Sequence, residues 1–68
     1  MYGNLQAEFA RRNIKAVRGI STALDCTERA ARNKLNGITE ITISEAKKIK
    51  NRYFPEMQLD YLFATDVQ

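Results

Sequence analysis

The 68-residue chain contains no histidine, no tryptophan, one proline and one cysteine. It therefore has no Cys/His cluster at the spacing of zinc ligands, and it has no glycine-rich loop of the kind that binds phosphate. From these absences we predict no cofactor and no enzymatic activity. Cys26 has no partner for an internal disulfide, so helix packing must stabilise the fold, and we expect a reducing cytoplasmic setting.

Long hydrophobic runs are also missing. No apolar stretch approaches the roughly 18 residues that would predict a membrane-spanning helix. The opening residues, 1–4, lack the charged and then apolar regions of a signal peptide. We expect no membrane association. The length allows one modest core, and we predict a single domain over residues 1–68.

The charged residues are unevenly distributed along the chain. The net charge is only +3, but residues 1–37 carry seven basic and three acidic side chains, whereas residues 38–68 carry four basic and five acidic ones. A basic half favours a polyanionic partner. The first half of the chain is therefore the place to look for such a site.

Apolar residues at helical spacing predict two helices early in the chain. The first covers about residues 5–12, with Asn4 as its N-cap. The second is indicated by an apolar series, Val17, Ile20, Ala23 and Leu24. Gly19 lies inside this second helix and weakens it by about 1 kcal/mol relative to alanine.

A third helix is predicted from Glu28 to Leu35 or Asn36. Thr27 is a good N-cap for it, and Gly37 directly after Asn36 is a strong C-terminal stop. Its apolar side is narrow, and its other side is basic and polar. This arrangement predicts a helix that lies on the surface of the domain.

Residues 38–43 alternate apolar and polar side chains, as a strand would, yet one short strand has no partner with which to pair. We predict an extended loop that places its isoleucines, Ile38, Ile41 and Ile43, on the core. Thr42 and Glu45 have the spacing of a capping box and open a fourth helix, which Pro55 ends.

The C-terminal apolar residues Leu59, Leu62 and Phe63 predict one more short helical turn, and residues 64–68 are predicted to be a frayed tail. The fold class expected from all these segments is an all-α, compact bundle of four to five helices. Helices two and three, separated by a three-residue hinge, are the elements of a helix-turn-helix.

Residues 17–37, Val-Arg-Gly-Ile-Ser-Thr-Ala-Leu-Asp-Cys-Thr-Glu-Arg-Ala-Ala-Arg-Asn-Lys-Leu-Asn-Gly, resemble the helix-turn-helix of the phage repressor and Cro-like (XRE-type) family. The resemblance continues to Phe63 and implies a lambda-repressor-like fold. Asp25 stands where the family often has glycine, but aspartate tolerates the left-handed conformation. Ser21 replaces a small alanine, and we expect its hydroxyl to bond a carbonyl one turn earlier.

The resemblance implies that four side chains of the third helix face the major groove: Glu28, Arg29, Arg32 and Asn33. Arginine can donate two hydrogen bonds to guanine, asparagine can pair in the same way with adenine, and Glu28 could accept from cytosine N4. Glu28 could equally repel phosphates and merely cap the helix. Six further residues are expected to meet phosphates: Arg11, Lys15, Arg18, Thr27, Lys34 and Asn36.

The function indicated is sequence-specific binding of double-stranded DNA by a transcriptional repressor or Cro-like regulator. We expect two copies on a two-fold site, as a homodimer formed or strengthened on DNA, with Leu59, Leu62 and Phe63 as the contact. The alternative is a protein-binding regulatory module of the same fold that does not read DNA. The basic residues of the third helix disfavour that alternative.

Overall fold

A computed structural model describes residues 2–64 and contains five α-helices in that range. They are α1 (Gly3–Arg11), α2 (Ala16–Leu24), α3 (Glu28–Leu35), α4 (Ile43–Tyr53) and α5 (Leu59–Leu62). No strand occurs between residues 2 and 64, so the predicted all-α class is confirmed. The predicted tail falls mostly outside the described residues, because only Ala64 of it is included.

All five helices contribute to one core. Its fully buried large side chains are Leu5, Phe9, Ile20, Ile49, Phe54 and Leu62. From α3 the core receives Ala31 and Leu35, so this helix buries one narrow side, as its sequence predicted. The predicted bundle of four to five helices is therefore confirmed, with five helices.

Phe9 is the side chain around which the first two helices meet. Its ring packs edge-on against the rings of Tyr53 and Phe54, with centroid distances of 5.2 Å and 5.0 Å. On its other side it contacts α2 at Gly19, where an added Cβ would lie only 2.6 Å from the ring. A glycine at position 19 lowers the helix propensity of α2, but it allows α1 and α2 to approach each other closely.

The hinge between α2 and α3 is short and well bonded. Asp25 adopts the left-handed conformation (φ 54°, ψ 49°), as its type allows. The Thr27 hydroxyl oxygen accepts the N–H of Ala30 at 3.1 Å, which confirms the predicted N-cap of α3. The prediction for Ser21 is wrong, because its hydroxyl donates forward to the carbonyl of Cys26 at 2.6 Å and closes the hinge instead.

The predicted start of the first helix is also wrong. The helix begins at Gly3, and its N-cap residue Tyr2 makes no side-chain capping bond. Asn4 lies inside the helix, where its side-chain amide donates to the carbonyl of Tyr61 at 2.9 Å. A tertiary partner on α5 has therefore replaced the local capping role of Asn4.

The isoleucines of residues 38–43 do not lie on the core, contrary to the prediction. Ile38 and Ile43 are 70% and 74% exposed, and Ile41 is half-buried. Gly37 (φ 81°) ends α3, and the carbonyl of Asn33 accepts the N–H of Ile38 at 2.9 Å, which turns the chain along the surface. The predicted capping box of Thr42 and Glu45 is confirmed and makes Ile43 the first residue of α4.

One carboxylate is buried in the described part of the chain. Glu8 is only 3% exposed, and its Oε2 accepts hydrogen bonds from Tyr61 Oη at 2.8 Å and Arg11 Nη1 at 2.9 Å. The bond to Glu8, together with burial, raises the pKa of Tyr61. This cluster joins α1 to α5 and leaves Glu8 paired as a buried charge requires.

Gly19→Ala is expected to destabilise the fold by about 1–3 kcal/mol, because the new methyl group would meet the buried Phe9 ring. The change would otherwise favour a helix. Urea unfolding of both proteins measures the difference, with Thr22→Ala at an exposed position of the same helix as the control. A Gly19→Ala variant as stable as the parent protein would contradict the close approach.

Tyr61→Phe is expected to lower the melting temperature by several degrees, since Glu8 would lose a donor while remaining buried. Tyr2→Phe removes a hydroxyl without an intramolecular partner among residues 2–64 and should change little. Because the folded pKa of Tyr61 is raised, its contribution is present below the ordinary value of 10.0 and is lost as the pH rises above it. Equal melting temperatures of both variants would show that the bond to Glu8 contributes nothing.

Candidate nucleic-acid interface

The third helix lies at the outside of the bundle. Among the five helices, α2 is the one whose backbone comes close to α3. Ala31 and Leu35 point inward, while Glu28, Arg29 and Arg32 are exposed and Asn33 is half-buried. The outer side of α3 is therefore open along its length to a partner.

Three side chains on this outer side are free to bind something else. Within residues 2–64, the side chains of Arg29, Arg32 and Asn33 make no intramolecular hydrogen bond or ion pair. The backbone carbonyl of Asn33 is occupied by the N–H groups of Ile38 and Thr39, but its side-chain amide is not. These groups supply two planar guanidinium donors and one amide that can both donate and accept.

A shallow hollow of about 360 Å³ lies where the start of α2 meets the start of α3. It is lined by Lys15, Ala16, Val17, Arg18, Glu28 and Arg32. Three of these side chains are basic and one is acidic. The structure thus brings together four of the predicted site residues that are 17 positions apart at the extremes.

Arg18 and Glu28 face each other across this hollow. Their closest approach is 3.7 Å, between Arg18 Nε and Glu28 Oε2, and the two side chains are 74% and 55% exposed. An ion pair this open and this long contributes little to stability because water screens it. Arg18 can therefore turn toward an anionic partner at small cost.

The start of α2 adds a feature that the sequence reasoning missed. Lys15 is the N-cap residue of α2 but has no side-chain group that accepts a hydrogen bond from the helix, and no acidic residue lies in the first turn. Among residues 2–64, no side chain therefore caps the first N–H groups of α2, and the first residues of that helix line the hollow. Uncapped helix starts favour anions, and the non-capping residue Lys15 was the available signal.

The remaining predicted residues lie apart from the hollow or already have partners. Arg11 is paired with the buried Glu8 at 2.9 Å, and Thr27 caps α3. Asn36 is exposed at the opposite end of α3. Arg12, which the sequence reasoning did not single out, lies over the Phe54 ring at 4.6 Å and serves the fold.

Among the predicted phosphate-contacting residues, Lys34 has the side chain that is most involved in contacts within the fold. Its Nζ lies 3.2 Å from Glu45 Oε1, and its side chain is only 18% exposed. The backbone N–H of Thr42 lowers the pKa of Glu45, burial opposes this shift, and Lys34 reinforces it. Lys34 therefore joins α3 to the capping box of α4 and is a poor donor to an external anion.

Comparisons with protein-family models, curated proteins and solved structures found no match for this chain. Within residues 2–64, no group of three or more His, Cys, Asp or Glu side chains could hold a metal ion. In the same range, none of the helices combines the length and the apolar character needed to cross a bilayer.

Proposed function

We propose that this protein is a sequence-specific double-stranded DNA-binding regulator, a repressor or Cro-like protein of the XRE type, with α3 as its recognition helix. One observation carries the proposal: the exposed side of α3 presents Arg29, Arg32 and Asn33, without side-chain partners among residues 2–64, beside a basic hollow at the start of α2. Reading and anchoring groups are thereby adjacent. The proposal assigns no catalytic activity to the chain.

The dimensions of α3 suit a major groove. An α-helix with its side chains is about 10–12 Å across, which fits the groove's width of about 12 Å. Arg29 and Arg32 would each donate two hydrogen bonds to a guanine, and Asn33 would pair with the edge of an adenine. Because these side chains have no partner to give up among residues 2–64, binding costs them only conformational freedom.

The start of α2 would hold the phosphate backbone beside α3. Lys15 and Arg18 supply charge there, and the uncapped N–H groups supply directed donors. Thr27 keeps a hydroxyl hydrogen to donate. Arg11, Lys34 and Asn36 would add only general positive charge or contacts at the edge, since two of them are already paired.

A homodimer on a two-fold DNA site is part of the proposal, but its predicted contact needs revision. Leu62 is fully buried in the core and cannot reach a second copy. Leu59 and Phe63 instead line an apolar groove of about 580 Å³ with Tyr2, Ile41, Thr42, Ile43, Ala46 and Asp60. We propose that the exposed Ile43 of one copy enters this groove of the other, as a self-complementary interface allows.

The same groove also favours the second candidate function, a protein-binding module that does not read DNA. An exposed apolar groove is a typical docking site for a partner protein. A gel-shift titration with random duplex at low salt separates the two functions. Absence of any duplex binding by the folded chain would overturn the proposed function and favour this alternative.

Arg32→Ala and Asn33→Ala are each expected to cost about 1–3 kcal/mol on a duplex selected from a random pool, and to relax preference at one or two base positions. Lys15→Ala should weaken binding to every sequence and lower the salt slope by about one. Lys48→Ala removes an exposed charge of α4 outside the hollow and is the control for Lys15→Ala. Unchanged sequence preference in folded Arg32→Ala and Asn33→Ala variants would show that α3 is not the reading helix.

Ile43→Lys is expected to weaken self-association on DNA by about 1.5–3 kcal/mol, because it replaces an apolar contact with a charge. Ile38→Lys makes the same change at an exposed position outside the groove and should leave association unchanged. Cooperative binding to duplexes with one and two half-sites measures the effect. Equal cooperativity in the two variants would contradict a dimer through this groove.

A further inference from the structure

Glu28 is the one acidic side chain among the residues that line the hollow, and it shares that surface with Lys15, Arg18 and Arg32. It is the first residue of α3, and its side chain is 55% exposed. A carboxylate in such a place repels the phosphates that the neighbouring cations attract. Glu28 therefore reduces the attraction of this surface for phosphates.

The side chain of Glu28 makes few contacts that stabilise the fold. Thr27 already caps α3 by accepting the N–H of Ala30, and within residues 2–64 the Glu28 side chain makes no hydrogen bond to the backbone. Its ion pair with Arg18 is 3.7 Å long and exposed. Glu45, in contrast, accepts the N–H of Thr42 at 3.1 Å and completes the capping box of α4. Glu45 holds its helix through a hydrogen bond, whereas Glu28 acts on α3 only through its charge in the first turn.

We propose that Glu28 determines specificity, by opposing duplexes that offer only phosphates to the hollow and by accepting a hydrogen bond from a cytosine amino group in the preferred site. An ionised carboxylate can only accept, so it finds a donor at cytosine N4 or adenine N6 and none at guanine O6 or thymine O4. At adenine the neighbouring N7 acceptor repels the carboxylate, which leaves cytosine as the favoured base. The inference rests on the proposed function, since it concerns the same surface.

Glu28 is therefore expected to lower the affinity for arbitrary duplexes and for the preferred site by different amounts. On an arbitrary duplex, the carboxylate loses water and meets phosphates without compensation. On a site with cytosine at the right position, the N4 amino group replaces that water, and Arg18 is released from Glu28 to a phosphate. Glu28 thus weakens general binding more than it weakens binding to the preferred sequence.

Glu28→Gln tests the inference, because it removes the charge and keeps the size of the side chain. Affinity for scrambled duplex at low salt should rise about three- to tenfold, and the salt slope should steepen by about one. The ratio of preferred to scrambled affinity should fall by about tenfold. Sequences selected by the parent protein should contain a cytosine at one position, and the variant should shift that preference toward adenine, because a glutamine amide can pair with adenine N6 and N7.

Glu40→Gln is the matched control, since it removes an exposed negative charge outside the hollow. It should change both affinities equally and by less than about twofold. If Glu28→Gln raises the two affinities equally, or leaves both unchanged, Glu28 does not determine specificity and the inference is wrong. If the folded parent protein binds no duplex at all, the proposed function fails first, and the inference fails with it.

Discussion

The contact between the Phe9 ring and Gly19 is the constraint on which the other parts of the molecule depend. Phe9 fills the centre of the core and packs against Tyr53 and Phe54, so it joins the end of α4 to α1. Gly19 then allows α2 to approach this ring more closely than any other residue type would permit. Because α2 is the one helix whose backbone comes close to α3, the position of the candidate interface depends on this contact.

Charged side chains divide into two groups with different roles. Those that join elements of the fold have short contacts, as between Arg12 and Glu56 at 2.7 Å or between Lys34 and Glu45 at 3.2 Å. Those around the outer side of α3 have long contacts or none. The fold therefore uses one set of charges for its own stability and leaves the other set available, which is the physical basis of the proposed interface.

Local sequence signals correctly predicted those features that depend on contacts between residues close together in the sequence. Thr27 and Thr42 act on backbone groups three residues away, so their caps could be predicted without knowledge of the fold. Asn4 is also a good capping residue, but its amide finds a partner 57 positions away, and no local rule predicts such a contact. The isoleucines of residues 38–43 failed for a similar reason, since the course of the chain after Gly37, and not the alternation of the segment itself, decides whether they reach the core.

The residue types of the candidate site could be predicted from the sequence, but it could not be predicted which of its side chains lie together in space. Helical periodicity placed Arg29 and Arg32 on the outer side of α3, but only the fold shows that Lys15 and Arg18 join Arg32 in one hollow. It also shows that Lys34 is turned toward Glu45.

The exposure of the outer side of α3 has a consequence for how this protein can change over generations. Substitutions at the outer positions 28, 29 and 32 remove no packing and no hydrogen bond within the described chain. Such positions can vary while the folded state keeps its stability. The ligand that this surface recognises can therefore change through single substitutions while the fold is kept. Relatives with the same core need not bind the same ligand.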